Sequence, residues 1–305
     1  MSVHVRENEP MEWHTTFGIT STAEWFVEVS STVELAEACA WARERGVPII
    51  IIAGGSNVVC AERVAGLVIK VVIQGIEIDG TQMRVGAGES LLEIVHAANV
   101  SGLAGIEVLA GIPGTIGGAV VGNAGAYGTE LGSHVIEVEV FDGEQVLLIS
   151  HSACSFAYRN SIFKKRRELV VLSVMLSLMA GDPVALAQKS TDIIKKREEK
   201  YPHGLLCPGS FFKNMCEDDV SQDIRARLPE HALVHGKIAV GYLIEAIDGR
   251  GMRLGGACVA DYHGNLLINT GTATYADVRQ LAEVLRDRVY KKFGVRLEEE
   301  IRYIE

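Results

Sequence analysis

At 305 residues, with 48% hydrophobic and 22% charged residues, the chain can build two or three domains with their own cores and is too apolar for disorder. Its formal net charge of −10 argues against nonspecific nucleic-acid binding, which needs a cationic surface to neutralise phosphates. The six cysteines, at 39, 60, 154, 207, 216 and 258, form no C-x-x-C pair and no zinc-like cluster with histidine, so free thiols in a reducing compartment and no metal site are expected.

The first residues carry no basic stretch followed by an apolar one, and the longest apolar run, Leu169 to Ala180, is too short to span a bilayer. A cytoplasmic protein is therefore expected. Ser31 with Glu34 reads as a capping box ahead of a helix over Val33 to Arg45, closed by Gly46. Val47 to Ile52 reads as a fully buried strand that ends in Ala53-Gly54-Gly55-Ser56-Asn57. Strands are expected over Gly66 to Val72 and Met83 to Ala87, then a second capping box, Ser90 with Glu93, ahead of a helix over Leu91 to Val100. Further strands fall at Val135 to Phe141 and Leu169 to Leu178. Asp182-Pro183 opens a helix reaching about Lys200, and Thr274 opens another from Tyr275 to Phe293, stopped by Gly294. Strands and helices without regular alternation indicate an α+β architecture. The turn Tyr201-Pro202-His203-Gly204 is the best domain boundary.

Glycine carries the chemistry. Seven glycines fall within the eighteen residues from Gly111 to Gly128, a density that tight turns between short strands could explain but that also suits a backbone built to touch a ligand. Ala53 to Asn57, following a strand, sits where a phosphate loop belongs. Neither G-x-G-x-x-G nor Gly-Lys-Ser/Thr occurs, which argues against an ordinary Rossmann dehydrogenase and a P-loop ATPase. Taken alone, Arg159 fits a surface salt bridge, Lys164 to Arg167 a solvated turn, Ser210 a turn serine, and Glu298-Glu299-Glu300 a solvated face. No G-x-S-x-G elbow surrounds Ser210, so a serine hydrolase is poorly supported.

Six motifs occur in order over nearly the whole chain: Ala53 to Asn57, Gly111 to Ala119, Asn123 to Gly128, Tyr158-Arg159-Asn160-Ser161, Gly209-Ser210-Phe211-Phe212-Lys213-Asn214 and Glu300-Ile301-Arg302. In this the chain resembles the UDP-N-acetylenolpyruvoylglucosamine reductases. The resemblance implies an FAD region of the vanillyl-alcohol-oxidase (PCMH) type, with two α+β subdomains, over residues 1–198. It implies an α+β substrate-binding domain over 199–305 whose last strand returns to the active site. NADPH and UDP-N-acetylglucosamine enolpyruvate are the implied substrates, in peptidoglycan precursor synthesis.

Residue by residue, the resemblance gives FAD two sets of contacts. Ala53, Gly54, Gly55, Ser56 and Asn57 meet its pyrophosphate. Gly111, Pro113, Gly114, Thr115, Gly117, Gly118, Ala119, Asn123, Gly125, Ala126 and Tyr127 run along pyrophosphate and isoalloxazine. Ser56 stands where covalent flavin tethering in related oxidases uses histidine, so noncovalent FAD is expected. Arg159 is the implied catalytic arginine, Ser210 the proton donor, and Glu300 the carboxylate that orients Arg159 or a water, with Glu298 as the alternative register. Tyr158, Lys200, Lys213 and Asn214 are implied substrate contacts, Lys200 reading equally well as a helix-end lysine favoured by the dipole. His263 by itself reads as a packed or surface histidine. Met215 replaces the family's usual proline. With about fifty residues and one tyrosine, Tyr201, between Arg159 and Ser210, the chain is similar to the shorter type without a tyrosine-bearing insertion. A flavin oxidase of alcohols or lactones and a catalytically silent nucleotide-sugar binder are the rival readings.

Overall fold

The computed structural model describes residues 3–228, 230–234 and 236–305. The chain divides into two compact units. The first comprises 1–9, 23–54 and 65–202; the second gathers 10–22, 55–64 and 203–305.

The first unit contains two sheets. One has four strands in the order Arg6–Pro10, Thr22–Val29, Arg63–Val71 and Ile49–Ile52, the last two parallel. Ile49–Ile52 is therefore an edge strand. Only Ile52 is buried and Ile49 is 40% exposed, which corrects the expectation of a fully buried strand: a continuous apolar run does not by itself reveal that one side lacks a neighbour. The other sheet is antiparallel, in the order Val146–Ser150, Val135–Phe141, Val170–Ser177, Gln82–Gly86 and Ile76–Asp79. Its inward side chains, among them Met83, Val85, Val138, Val140 and Val174, join those of the helices Thr32–Arg45 and Leu91–Val100 in one core.

The helix ends show which sequence signals act. Ser31 Oγ accepts the Glu34 N–H at 3.2 Å, but the Glu34 carboxylate takes the N–H and hydroxyl of Ser30, one residue before the expected partner. Ser90 makes no side-chain cap at all. Its backbone is bridged to Thr115, and the Leu91 N–H is taken by the Gly114 carbonyl at 3.0 Å, so tertiary contact replaces the expected capping box. Pro183–Lys200 begins as expected, with the Asp182 carboxylate accepting the Val184 N–H. A short helix the sequence reading missed, Ile116–Gly122, lies inside the glycine-rich stretch.

The second unit is organised round the helix Tyr275–Phe293, opened by a complete Thr274–Asp277 capping box and closed by Gly294. Val278, Leu281, Ala282, Leu285 and Val289 on one face of it pack with Phe211, Phe212, Leu243 and Val259. Three strands, Arg253–Leu254, Ala257–Val259 and Leu267–Asn269, form an antiparallel sheet, and Arg302–Ile304 pairs in parallel with Val58–Cys60. Asn269 binds the distant segments of this unit: its amide donates to the carbonyls of Phe17 and Gly18 and accepts from the N–H groups of Gly271 and Ala273. All six cysteines are free thiols, and burial holds Cys60 up to about 12. Among the described residues no helix is long and apolar enough to cross a membrane.

Candidate active site

In the first unit the two glycine loops meet. A Cβ on Gly54 would stand 2.6 Å from the Gly114 Cα, so only glycine lets these backbones touch, and Gly118 faces the Ala53 side chain. Beside this contact Thr115 caps no helix N–H, and its buried Oγ1 has no hydrogen-bond partner among the described residues. A buried hydroxyl left unmatched costs about 1–3 kcal/mol, and a bound polar ligand would relieve it. The Cβ-free cradle and the orphaned hydroxyl fit the implied dinucleotide. Not every amide of the stretch is available to it: the N–H of Gly117 is committed to the Ala87 carbonyl and that of Ala119 to Thr115. These two contribute by close packing. Pro113 stiffens the same loop ahead of Gly114.

After the short helix, Asn123 turns the chain at φ 45° and is almost fully buried. Its side chain donates to Glu130 Oε2 and to the Ala157 carbonyl and accepts from the Gly132 N–H, fixing three segments at once. Gly125–Ala126 pairs with Thr129–Glu130, and between them Tyr127 sits at φ 51° with its side chain 57% exposed. A bulky residue in the left-handed region costs roughly 1–2 kcal/mol, a strain that marks functional turns.

Arg159 carries the same strain at φ 53°, at the tip of the Ala157–Asn160 turn. Its Nη2 donates to the Gly125 carbonyl at 2.9 Å, its guanidinium lies 5.0 Å from the Tyr158 ring, and Lys164 Nζ donates to its carbonyl. Lys164 thus does more than decorate a solvated turn. Ser161 anchors the turn on the Val121 carbonyl. The structure thus brings Arg159 and Gly125 together.

Arg197 was missed. One turn before Lys200 in the helix Pro183–Lys200, it donates from Nε to the Gly111 carbonyl at 2.9 Å and stacks on Tyr201, which Lys200 Nζ also overlies at 5.0 Å. Burial first, and then the like charge of Arg159, draw its guanidinium below the usual arginine range, while Tyr201 and Tyr127 oppose the shift. The available signal was position alone: an arginine in the last turn of an amphipathic helix reads as a dipole partner.

The second unit contains the other half of the expected residues. Gly55 has φ 66°, and a Cβ there would lie 1.8 Å from the His14 carbonyl. Thr16 holds this loop, donating its N–H to Gly55 and its hydroxyl to the carbonyls of Ser56 and Cys207. Ser210 precedes two fully buried phenylalanines whose rings meet edge to face at 5.1 Å. Asn265, absent from the sequence reading, grips them: the Phe212 N–H donates to its Oδ1 at 2.8 Å and its Nδ2 donates to the Phe212 carbonyl at 2.7 Å. His263 belongs to the turn leading there, its Nδ1 accepting the Asn265 N–H.

The three glutamates part company. Glu298 is 73% exposed and pairs with Lys213 Nζ. Glu299 accepts the Tyr303 hydroxyl at 2.9 Å and pairs with Arg286 at 3.6 Å; burial and this carboxylate push the Tyr303 hydroxyl well above the usual tyrosine range. Glu300 donates its N–H to the Phe211 carbonyl at 2.8 Å, next to Ser210, and its carbonyl accepts from Asn57 Nδ2 at 3.2 Å. Asn57, Ser210 and Glu300 are therefore neighbours along the backbone network. Asn214 spends its Oδ1 on the Val240 N–H, and among the described residues no hydrogen bond claims its amide hydrogens. Met215 stands opposite Ile238 in a short antiparallel pair, where it can supply an N–H that proline lacks.

Residues 202–304 match the family model described as UDP-N-acetylenolpyruvoylglucosamine reductase, C-terminal domain, and residues 23–147 match an FAD binding domain. The UDP-N-acetylenolpyruvoylglucosamine reductase of Solibacter usitatus is 36% identical over 301 residues, covering 98% of this chain and 96% of that protein. That of Caldanaerobacter subterraneus is 36% identical over 300 residues, covering 97% and 92%. The crystal structure of UDP-N-acetylenolpyruvylglucosamine reductase from Thermus caldophilus is similar at a TM-score of 0.77 and 28% identity, with both chains fully covered.

Proposed function

The chain belongs to the UDP-N-acetylenolpyruvoylglucosamine reductase family, and on that premise we propose how its residues divide the work of the reaction. It is an FAD-dependent oxidoreductase that uses NADPH to reduce UDP-N-acetylglucosamine enolpyruvate to UDP-N-acetylmuramate, a step of peptidoglycan precursor synthesis, and we infer that it acts in the cytoplasm. One hydride from NADPH ends on the methylene carbon, one proton is added to the adjacent carbon, and NADP⁺ is released. What FAD supplies, when bound, is hydride transfer between the nicotinamide and the enolpyruvyl double bond.

Ala53, Gly54, Gly114 and Gly118 hold the cofactor by main-chain approach, with the Thr115 hydroxyl as an unspent donor. Arg159 binds the enolpyruvyl carboxylate through its planar fork and offsets the negative charge that accumulates there once hydride has added. Its carbonyl and guanidinium are both held by neighbours, so little reorientation is needed when the anion arrives. Ser210 gives its hydroxyl proton to the adjacent carbon. A hydroxyl is a weak acid, but the carbanion-like acceptor is strongly basic, and the buried Phe211-Phe212 pair fixes the donor's backbone. Glu300 tunes the field during that protonation. Lys200, Lys213 and the Asn214 amide face the phosphate-bearing part of the substrate, and Tyr158 backs Arg159.

The observation that best supports this reading is the bracketing of the Glu300 peptide by the Phe211 carbonyl on one side and the Asn57 amide on the other. It supports Glu300, whose N–H bonds the carbonyl of Phe211, the residue after Ser210. The test is the visible spectrum of the purified protein, followed anaerobically after NADPH and then the enolpyruvyl substrate. Bleaching of bound flavin by NADPH and its return with substrate is the expected result. Bleaching without return would refute the substrate, and no flavin binding at all would refute the reading.

A further inference from the structure

Arg159 is held in a closed circuit of hydrogen bonds, and Glu130 closes it. Two routes leave the arginine. From the guanidinium, Nη2 donates to the Gly125 carbonyl at 2.9 Å, and Gly125 stands opposite Glu130 in a two-residue antiparallel pair. From the backbone, the turn that carries Arg159 begins at Ala157, whose carbonyl accepts both the Asn160 N–H and Asn123 Nδ2, each at 2.9 Å. The same Asn123 amide donates its other hydrogen to Glu130 Oε2 at 2.8 Å. Both routes therefore end on one residue, by way of its main chain and its carboxylate.

The Asn123 amide between them has no slack. A carboxylate and a carbonyl only accept, and the Gly132 N–H, which Oδ1 takes at 2.8 Å, only donates, so the network allows a single orientation of the amide. Asn123 is 1% exposed, and without the Glu130 oxygen one of its N–H groups would be buried without that partner. Turning the amide to find another would release Ala157 or Gly132. The stem of Glu130 is placed as closely: an added Cβ on Gly125 would meet its Cγ at 3.0 Å, so the glycine gives this side chain its path. Such support matters because Arg159 lies at φ 53°, a conformation that a residue with a side chain keeps only where its surroundings hold it.

We propose that Glu130 is a positioning residue for Arg159. Through Asn123 it sets the turn, and through Gly125 it sets the carbonyl that directs the guanidinium toward the substrate carboxylate. The proposal rests on the enolpyruvyl-reductase reading above and adds a residue to it. What the Glu130 side chain contributes is an acceptor oxygen at a fixed reach, and two substitutions separate reach from charge. Glu130→Gln keeps the oxygen at the same reach and drops the charge; Glu130→Asp keeps the charge and withdraws the oxygen by one methylene.

The experiment follows the anaerobic, substrate-dependent return of flavin absorbance by stopped flow in the FAD-loaded protein, with flavin content, Tm and the rate of bleaching by NADPH measured beside it. Glu130→Asp is expected to slow the return about 10- to 100-fold, the scale set by misplacing a reacting group by an ångström, while Glu130→Gln stays within about threefold of wild type. Flavin content, Tm and bleaching should hold in both. Equal rates in the two variants, or Glu130→Gln the slower, would overturn the inference, as would a slow return that merely follows a fall in flavin content or Tm. A double-mutant cycle tests the link to Arg159: in an Arg159→Ala background Glu130→Asp should slow the return no further, because no guanidinium is left to aim, and the same slowing in both backgrounds would overturn the inference. An Arg159→Ala protein that regains its flavin absorbance at the wild-type rate would overturn the functional reading, and the inference with it.

Discussion

Replacing Asn265 by alanine removes the two hydrogen bonds that hold the Phe212 peptide, 2.8 Å to its N–H and 2.7 Å to its carbonyl. Both groups are in the interior, because Phe212 and its neighbour Phe211 are fully buried and Asn265 is itself almost so. Each buried backbone group left without a partner costs about 1–3 kcal/mol, so the substitution should cost roughly 2–6 kcal/mol in all. For a chain of this size that corresponds to a fall in Tm of roughly 3–9 °C, read by circular dichroism on the FAD-loaded protein. The loosened loop also carries Ser210, and misplacing a catalytic group by an ångström costs on the order of 100-fold in rate. Flavin bleaching by NADPH should stay near wild type while the substrate-dependent return slows by that factor. Asn265→Asp keeps an acceptor for the Phe212 N–H but sets a carboxylate against its carbonyl, and should lie no closer to wild type than alanine. A Tm within a degree of wild type and an unchanged rate of return in Asn265→Ala would refute the reasoning.

Ser210→Ala should leave bleaching by NADPH intact and slow the substrate-dependent return by about 10²–10⁴-fold, measured by stopped-flow absorbance. Gly54→Ala, whose methyl would stand 2.6 Å from the Gly114 Cα, should purify with little or no flavin; full flavin content would contradict the close approach of the two loops. Glu107 is buried, which alone would raise its pKa, but hydrogen bonds from Lys189 and the Gly105 N–H outweigh burial and hold it below the ordinary 4.5. Because the folded state lowers this pKa, the stabilisation is complete above the unfolded value and disappears as pH falls through the folded one. Glu107→Gln should therefore cost about 1 kcal/mol by urea unfolding at pH 7 and nearly nothing well below pH 4.

How much of this was legible depended on whether a signal was local. Thr274 with Asp277 and Asp182 with Pro183 could be read because a cap and the first turn of its helix are adjacent in sequence. Ser90 failed because its helix start is satisfied by Gly114, 24 residues away in the chain, a partner that no local window contains. The helix Ile116–Gly122 was hidden for the opposite reason: three glycines in seven residues argue against a helix, and packing against Ala87 and Ala53 decides otherwise. At the site, motif order pointed to Arg159, Ser210 and Glu300, but nothing in Asn265 or Arg197 marks them out from any interior asparagine or helix-end arginine. Their roles arise from carbonyls that approach them only in the folded chain.

The second unit is assembled from three separate stretches of chain, and the Asn269 amide and the Arg302–Ile304 strand tie the early pieces to the late one. Recombination between related genes meets a constraint here that the position of the Tyr201–Gly204 turn conceals. A crossover at that turn looks clean, yet it divides one hydrophobic core between two parents, setting Phe17, Ile19 and Val59 of one against Phe211, Leu243 and Val259 of the other. Viable chimaeras should be those in which 10–22 and 55–64 are inherited together with 203–305, so the heritable module is a discontinuous set of residues and not a segment.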